Sequence, residues 1–193
     1  MEAIETLMSE HRTILAAIDA LVAFADGIRR GGEDRPELAR FVRFIKEFAD
    51  AHHHAKEEGA LFEAMVQAGF PRQAGPVGVM LHEHDLGRQL VGVLAELAAP
   101  GAPWGDGERD RLAEAAEGYA GLLRAHIHKE DAILYPMAIQ RLPEALMAQV
   151  EYACAEAEAA AARSGQRAAL EQLAGELVAR HTPGAAASAR LAG

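Results

Sequence analysis

Hydrophobic residues along the chain recur at alternating three- and four-residue steps, the period of an α-helix with one buried face. The first such stripe combines apolar residues with one histidine: Ile4, Leu7, His11, Ile14, Ile18 and Leu21. Between stretches rich in glycine and proline, this pattern predicts about five helices, at residues 2–28, 36–67, 72–98, 106–140 and 144–180. Because alanine and leucine dominate and β-branched residues are sparse, we expect an all-α protein.

The short connections between these long helices favour an antiparallel, up-down-up-down four-helix bundle. We therefore predict a bundle at residues 1–142 and a C-terminal helical extension at residues 143–182 that packs outside it. The residues from 183 to 193 are expected to form a frayed tail.

Composition narrows the function classes. The formal net charge of −10 makes a nucleic acid or an anionic membrane an unfavourable partner. The single cysteine, Cys154, allows neither an internal disulfide nor a cysteine-based metal site. We see no signal peptide and no apolar run near the ~20 residues of a membrane span, so we expect a soluble, cytoplasmic protein.

Three histidines interrupt the apolar stripes of three different helices. His11, His84 and His126 each occupy a core-facing position. One such histidine is usually a hydrogen-bonded core residue, but burying several neutral imidazoles without partners would be costly. A shared metal would satisfy them together.

The two halves of the chain resemble each other. The segment SEHRTIL at 9–15 is echoed by HEHDLGR at 82–88, and HHAKEEGALF at 53–62 by HIHKEDAILY at 126–135. The ungapped match pairs His53 with His126 and Glu57 with Glu130. The repeated unit is therefore one histidine on a first helix and His-x-x-x-Glu on the next, which puts the two side chains on one helix face.

A second register is also open at the HHH run, because His54 and Glu58 have the same spacing. The repeat disfavours it, since these residues align with Ile127 and Asp131. The remaining histidines sort by helical angle: His82 and His128 face away from the stripes, and His52 is ambiguous.

Four imidazoles and two carboxylates around one bundle axis suit a pair of metal ions. The set is His11, His53, Glu57, His84, His126 and Glu130. Two bridging carboxylates and an oxide or hydroxide bridge would leave room for a small ligand. The mixed nitrogen and oxygen donors favour iron or manganese over calcium, and zinc is also compatible.

Several neighbours receive plainer interpretations. We expect Leu7, Ile14, Leu122 and Ile133 to form an apolar wall that excludes water. Tyr119 lies one heptad before His126 and is interpreted as a core residue. Lys56 and Lys129 match in the repeat and are expected to be solvent-exposed.

At these motifs the sequence resembles the hemerythrin-like, HHE cation-binding family, over about residues 5–140. The resemblance implies a four-helix bundle around a non-haem di-iron centre, and the family's ligands fall on the same six residues. There are two departures from true oxygen carriers. Met80 stands where they have a further histidine, and their last carboxylate falls on Asp131 rather than Glu130. The resemblance is closer to members with six protein ligands, some of which are linked to nitric-oxide stress and iron–sulfur cluster repair.

The first function hypothesis is a binding or sensing protein whose di-iron centre takes O2 or NO at an open position. The alternatives are a di-iron oxidoreductase acting on peroxide or NO, and a protein of iron storage or donation. A purely structural bundle with incidental histidines is disfavoured by the repeat. The fold does not choose among the first three.

Overall fold

The structure is a computed structural model and describes residues 1–182 of the 193. The described residues are almost entirely helical, as predicted. They form a four-helix bundle with two further helices at the C-terminal end. The predicted tail at 183–193 lies outside the described residues.

The first and third helices of the bundle are single α-helices, and the second and fourth are continuous helical rods with π-helical stretches. The elements are α1 (Glu2–Arg29), α2 (Arg35–Phe44), π1 (Ile45–His54), π2 (Glu57–Leu61), α3 (Phe62–Gln67), α4 (Gly75–Ala98), α5 (Asp106–Lys129), π3 (Glu130–Leu134) and α6 (Tyr135–Arg141). The π-helical stretches were not predicted, because the hydrophobic pattern does not distinguish an i→i+5 turn from an α-turn. Such stretches frequently mark functional sites.

The C-terminal segment predicted as one helix at 144–180 is two helices, α7 (Glu144–Arg163) and α8 (Gln166–His181). The chain reverses at Gly165, whose φ of 70° is a left-handed conformation that glycine adopts without a steric penalty. Helix α8 packs along α1 and α2, and it buries Leu170, Leu173 and Leu177 against the bundle. The extension is thus held to the bundle by apolar contacts.

The buried apolar side chains fall into two clusters, one toward each end of the bundle. Along α1, Leu7 belongs to one cluster and Ile14 to the other, and His11 lies between them. The same order holds on the second rod, where His53 and Glu57 separate Phe48 from Leu61. A layer of buried polar residues therefore crosses the middle of the bundle.

None of the helices within residues 1–182 combines the length and the apolar character that crossing a membrane requires.

Candidate metal centre

The polar layer contains all six residues that the sequence nominates. Four different helices of the bundle supply them: His11 from α1, His53 and Glu57 from π1 and π2, His84 from α4, and His126 and Glu130 from α5 and π3. All six are buried, with 2 % exposure or less. A layer of six such side chains in an apolar core requires compensation among its own members or from bound ions.

The donor atoms form two overlapping groups. His11, His53, Glu57 and Glu130 place one donor atom each within 4.8 Å of one another, and so do His54, Glu57, His84 and His126. Glu130 faces both groups, because its Oε2 lies 3.3 Å from His11 Nε2 and its Oε1 lies 3.1 Å from His126 Nε2. Glu57 Oε2 is likewise 3.6 Å from His53 Nε2 and 3.5 Å from His84 Nε2. Each of the two carboxylates therefore faces both histidine pairs.

The two histidine pairs have nearly the same geometry. The ring centroids of His11 and His53 are 4.7 Å apart with an interplanar angle of 63°. Those of His84 and His126 are also 4.7 Å apart, at 64°. Edge-on imidazoles of this kind can both direct a nitrogen at one ion. The internal repeat of the sequence is thus reproduced as two equivalent half-sites.

The buried carboxylate oxygens test whether a cation fits here. Glu57 Oε2 and both oxygens of Glu130 are inaccessible to solvent and accept no hydrogen bond from the described residues. Buried polar atoms are normally satisfied, so unpartnered oxygens call for a missing partner. Cations coordinated by these oxygens and by the facing Nε2 atoms would supply it. The donor set fits a metal pair.

Each of the four histidines is fixed from behind by a carboxylate at its Nδ1. The partners and distances are Asp131 for His11 (2.8 Å), Glu10 for His53 (2.8 Å), Glu58 for His84 (2.7 Å) and Glu83 for His126 (2.9 Å). Because a carboxylate accepts, each Nδ1 carries a proton, and Nε2 is the ring atom that faces the centre. Such outer partners orient metal ligands and raise their basicity.

Sequence reasoning missed these four carboxylates, although the repeat contained the signal. Glu10 and Glu83 immediately precede His11 and His84, and Glu58 and Asp131 immediately follow Glu57 and Glu130. Each acidic residue orients a histidine on another helix, so only the packed bundle shows the pairing.

The protonation states of the metal-free site are strongly perturbed. Burial lowers the pKa of His53 to about 4. For His11, burial opposes the charged form, but the hydrogen bond to Asp131 and the negative charge of the nearby Glu130 outweigh it and raise the pKa to about 9. Burial and the charge of Glu130 raise the pKa of Glu57 well above its usual value. A metal held by His11 and Glu57 would therefore displace protons from both residues.

The expected exposure of Lys56 was wrong. Its side chain is only 3 % exposed, and its ammonium group contacts Glu10 and, on α7, Glu158. Glu10, His52 and Glu158 lie close enough to resemble a third metal site, but the Lys56 ammonium already pairs with both carboxylates. Lys129, the partner of Lys56 in the repeat, is 34 % exposed and pairs with Glu83.

The predicted apolar wall is partly wrong. Leu7 and Ile14 are buried beside the centre, whereas Leu122 is half-buried and Ile133 is 52 % exposed. Ile133 lies in π3, whose wider turn rotates it away from the core, and no α-helical pattern could anticipate this. Tyr119 is a buried core residue, as interpreted, and His82 and His128 are exposed, as predicted.

A residue without a predicted role, Tyr135, contacts the centre directly. Its hydroxyl donates a 2.6 Å hydrogen bond to Glu57 Oε1 and lies 3.3 Å from His11 Nε2. In the repeat Tyr135 aligns with Phe62, which cannot make this bond. Only one of the two candidate bridging carboxylates therefore has a phenolic partner.

The HHH run places two buried histidines, His53 and His54, beside the other nominated residues. His53 and Glu57 face the other nominated residues, whereas Glu58 turns outward to His84 Nδ1 and to Arg88. His54 is nevertheless buried, and its ring stacks on His84 with centroids 3.8 Å apart and an interplanar angle of 16°. It is a fifth histidine near the centre, on the side of His84 and His126.

This bundle, with a buried layer of histidines and carboxylates supplied by all four helices, defines a cation-binding helical protein. Residues 2–138 match the family described as hemerythrin HHE cation binding domain. The chain belongs to that family.

Relatives agree with the family assignment. The uncharacterized protein Rv1995 of Mycobacterium tuberculosis is 29 % identical over 136 residues, 68 % of this chain and 51 % of the relative. Mb2018 of Mycobacterium bovis matches to the same extent. The iron-sulfur cluster repair protein YtfE of Musicola paradisiaca is 42 % identical over 94 residues, which cover 47 % of this chain and 41 % of that protein. The chain spans about half the length of these curated relatives or less, and no solved structure matches it significantly.

Proposed function

We propose that the protein binds a pair of iron ions and presents them to a small ligand such as O2 or NO. His11 and His53 would hold one ion, His84 and His126 would hold the other, and both would share the carboxylates of Glu57 and Glu130. The observation that carries the proposal is the orientation of Glu130, whose two unpartnered oxygens face the two histidine pairs separately.

The chemistry of the donors limits the choice of metal, and the likeness to a relative favours iron within that choice. Imidazole and carboxylate together suit iron, manganese and zinc, whereas calcium requires oxygen donors alone. The likeness to YtfE, whose name describes repair of iron–sulfur clusters, supports iron within this set.

The residues of this chain would hold the ions and control their surroundings. The four Nδ1 hydrogen bonds would fix the imidazoles, and apolar clusters pack on both sides of the layer. The bound ions would supply an open coordination position for an exogenous ligand. Binding or sensing is the function proposed first.

A second candidate is a role in the repair of iron–sulfur clusters, favoured by the 42 % identity with YtfE. The match covers less than half of either chain, so this proposal concerns only the iron site that the two proteins would share. It predicts that the loaded protein gives up its iron to an apo iron–sulfur protein, whereas a binding or sensing protein keeps it.

The direct test is metal analysis of the purified protein with its visible spectrum. The proposal predicts two irons per chain and near-ultraviolet bands of an oxo-bridged ferric pair. His126→Ala should lose iron, whereas the matched control His128→Ala, which removes an exposed histidine two residues away, should keep it. One zinc per chain, or equal iron in both variants, would contradict the proposal.

A further inference from the structure

The two half-sites share their inner geometry but differ in the space beside them. A cavity of about 270 Å³ lies against the His84 and His126 pair, and His54 forms part of its wall. Because a water molecule occupies about 30 Å³, this space exceeds what a single solvent molecule fills. Neither His11 nor His53 lines this cavity.

The origin of the cavity can be read from the internal repeat. In the alignment of SEHRTIL with HEHDLGR, Gly87 stands where the first half has Ile14. Ile14 is fully packed in the core, whereas Gly87 lines the cavity. A Cβ atom added at Gly87 would lie 3.5 Å from the Tyr119 ring and 3.9 Å from Leu122, both of which also line it. The missing side chain of Gly87 thus leaves open a volume that Ile14 occupies in the other half.

His54 is the second departure from the repeat. Its counterpart in the second half is Ile127, a buried apolar residue. The near-parallel stacking of His54 on His84 differs from the edge-on geometry of the two half-site pairs. Two nearly parallel rings at 3.8 Å cannot both direct their planes at one ion between them, so His54 is better placed to contact a molecule in the cavity than to act as a further ligand.

The cavity reaches the surface between π1 and α4. Asp50 and Arg88 line its outer part, are each about one-third exposed and are joined by a 2.8 Å ion pair. Arg88 also pairs with Glu58 and with Asp85, so three carboxylates surround this one guanidinium at the entrance. The inner wall includes Ile45, Val91 and Leu123. Apolar walls behind an entrance with this surplus of carboxylates disfavour an anion and suit an uncharged ligand.

We propose that this cavity is the ligand-binding pocket of the centre, that an uncharged small molecule reaches the ion held by His84 and His126 through it, and that His54 hydrogen-bonds the bound molecule. The inference rests on the proposed metal pair and assigns the ligand to one of its two ions. The other ion, beside Ile14, is expected to be closed to exogenous ligands. His54 would act through the bound ligand and not on the metal.

The test uses the full chain loaded with iron, reduced, and nitric oxide as the probe. Gly87→Ile restores the residue of the first half and should weaken or slow NO binding by about 10- to 200-fold, the range for a misfit of methylene size in a pocket. Gly92→Ile is the matched control, since it lies on the same helix and a Cβ there meets no atom within 4 Å. Both variants should retain two irons, and the control should bind NO as the wild type does.

His54→Ile tests the second part of the proposal with a spectroscopic readout. It should retain both irons, because His54 is not assigned as a ligand, and should shift the N–O stretching frequency of the adduct by removing a hydrogen bond. Loss of one iron in this variant would instead make His54 a ligand and overturn its assigned role. Should Gly87→Ile fail to fold, Gly87→Ala serves as the smaller filling change.

The outcomes separate this inference from the proposed function. A wild-type chain without a pair of irons would refute the function. A chain that holds two irons and binds NO equally well in the wild type and in Gly87→Ile would leave the function standing and refute the pocket.

Discussion

The first and second halves of the bundle carry the same inner residues but present them in different surroundings. The half-sites His11/His53 and His84/His126 agree within 1° in interplanar angle. Around the first, Ile14 fills the core, and α7 covers Lys56 through Glu158. Around the second, Gly87 leaves a cavity and Lys129 stays one-third exposed.

This difference shows how a repeated set of histidines and carboxylates can acquire two surroundings. Under the proposed assignment, the ligand residues keep the repeat because a pair of ions would require the same geometry on both sides. The residues one turn or one position away are free to diverge. We infer that the covered half stabilises the site and the open half admits the ligand.

The largest effect is expected from Glu130→Gln, which removes a bridging charge shared by both halves. The amide cannot bridge as an anion, so iron content should fall from two per chain to one or none. Metal analysis after gel filtration measures this. Glu63→Gln, at an exposed position on α3, is the control and should retain both ions. Full retention in Glu130→Gln would exclude a bridging role.

The second prediction compares the loss of stability in Glu10→Gln with that in Glu83→Gln. These substitutions remove equivalent carboxylates from the two halves. Glu10 is buried with Lys56, and removing one member of a buried ion pair typically costs about 3–5 kcal/mol. Glu83 pairs with the partly exposed Lys129, and removing an ion pair of this kind usually costs about 0–1 kcal/mol of stability. The substitution also removes one hydrogen bond to His126. Urea unfolding of the metal-free variants gives both values. Equal losses would mean that α7 does not set the two halves apart.

The outer carboxylates also show how far the sequence could predict this molecule. The helices and the six nominated residues follow from hydrophobic period and internal repetition, which are local properties. The burial of Lys56 could not be predicted, because it depends on Glu158 of α7, about a hundred residues away. The exposure of Ile133 was missed because a π-helical stretch changes the side of the helix that a residue faces, and the hydrophobic pattern of the sequence does not reveal such a stretch.

The cavity was missed for a different reason. A glycine inside a helix, such as Gly87, usually signals only weaker helix propensity. That Gly87 opens a cavity becomes clear only from the comparison with Ile14 in the other half and from the packed structure, in which no neighbouring side chain fills the space.

The third prediction concerns pH. In the metal-free protein the pKa of His11 is raised to about 9, so this imidazole carries a proton at neutral pH that a metal must displace. Metal affinity should therefore fall by about tenfold for each pH unit below 9 from this group alone, and more as Glu57 also becomes protonated. Above pH 9 the His11 contribution should vanish. Competition titrations with a chelator from pH 6 to 10 measure this, and an affinity independent of pH would contradict the assignment of His11.

The smallest effect is expected from Tyr135→Phe, which gives the second half the aromatic residue of the first. The substitution conserves the ring and removes the bond to Glu57, so the free energy of unfolding should fall by about 1–3 kcal/mol in the metal-free protein. Both irons should remain, because the hydroxyl is not a proposed ligand. Phe62→Tyr is the reciprocal variant. Loss of iron in Tyr135→Phe would show that the phenol coordinates the metal.

The measurement that tests the account most directly is Mössbauer spectroscopy of the protein loaded with ⁵⁷Fe and reduced, before and after one equivalent of NO per chain. The spectrum should show two iron environments of equal area, and only one of them should change when NO is added. In Gly87→Ile this change should be lost, which would assign the responding iron to the His84/His126 side. A single iron per chain, or two irons that change together and respond to NO equally in the variant, would contradict it.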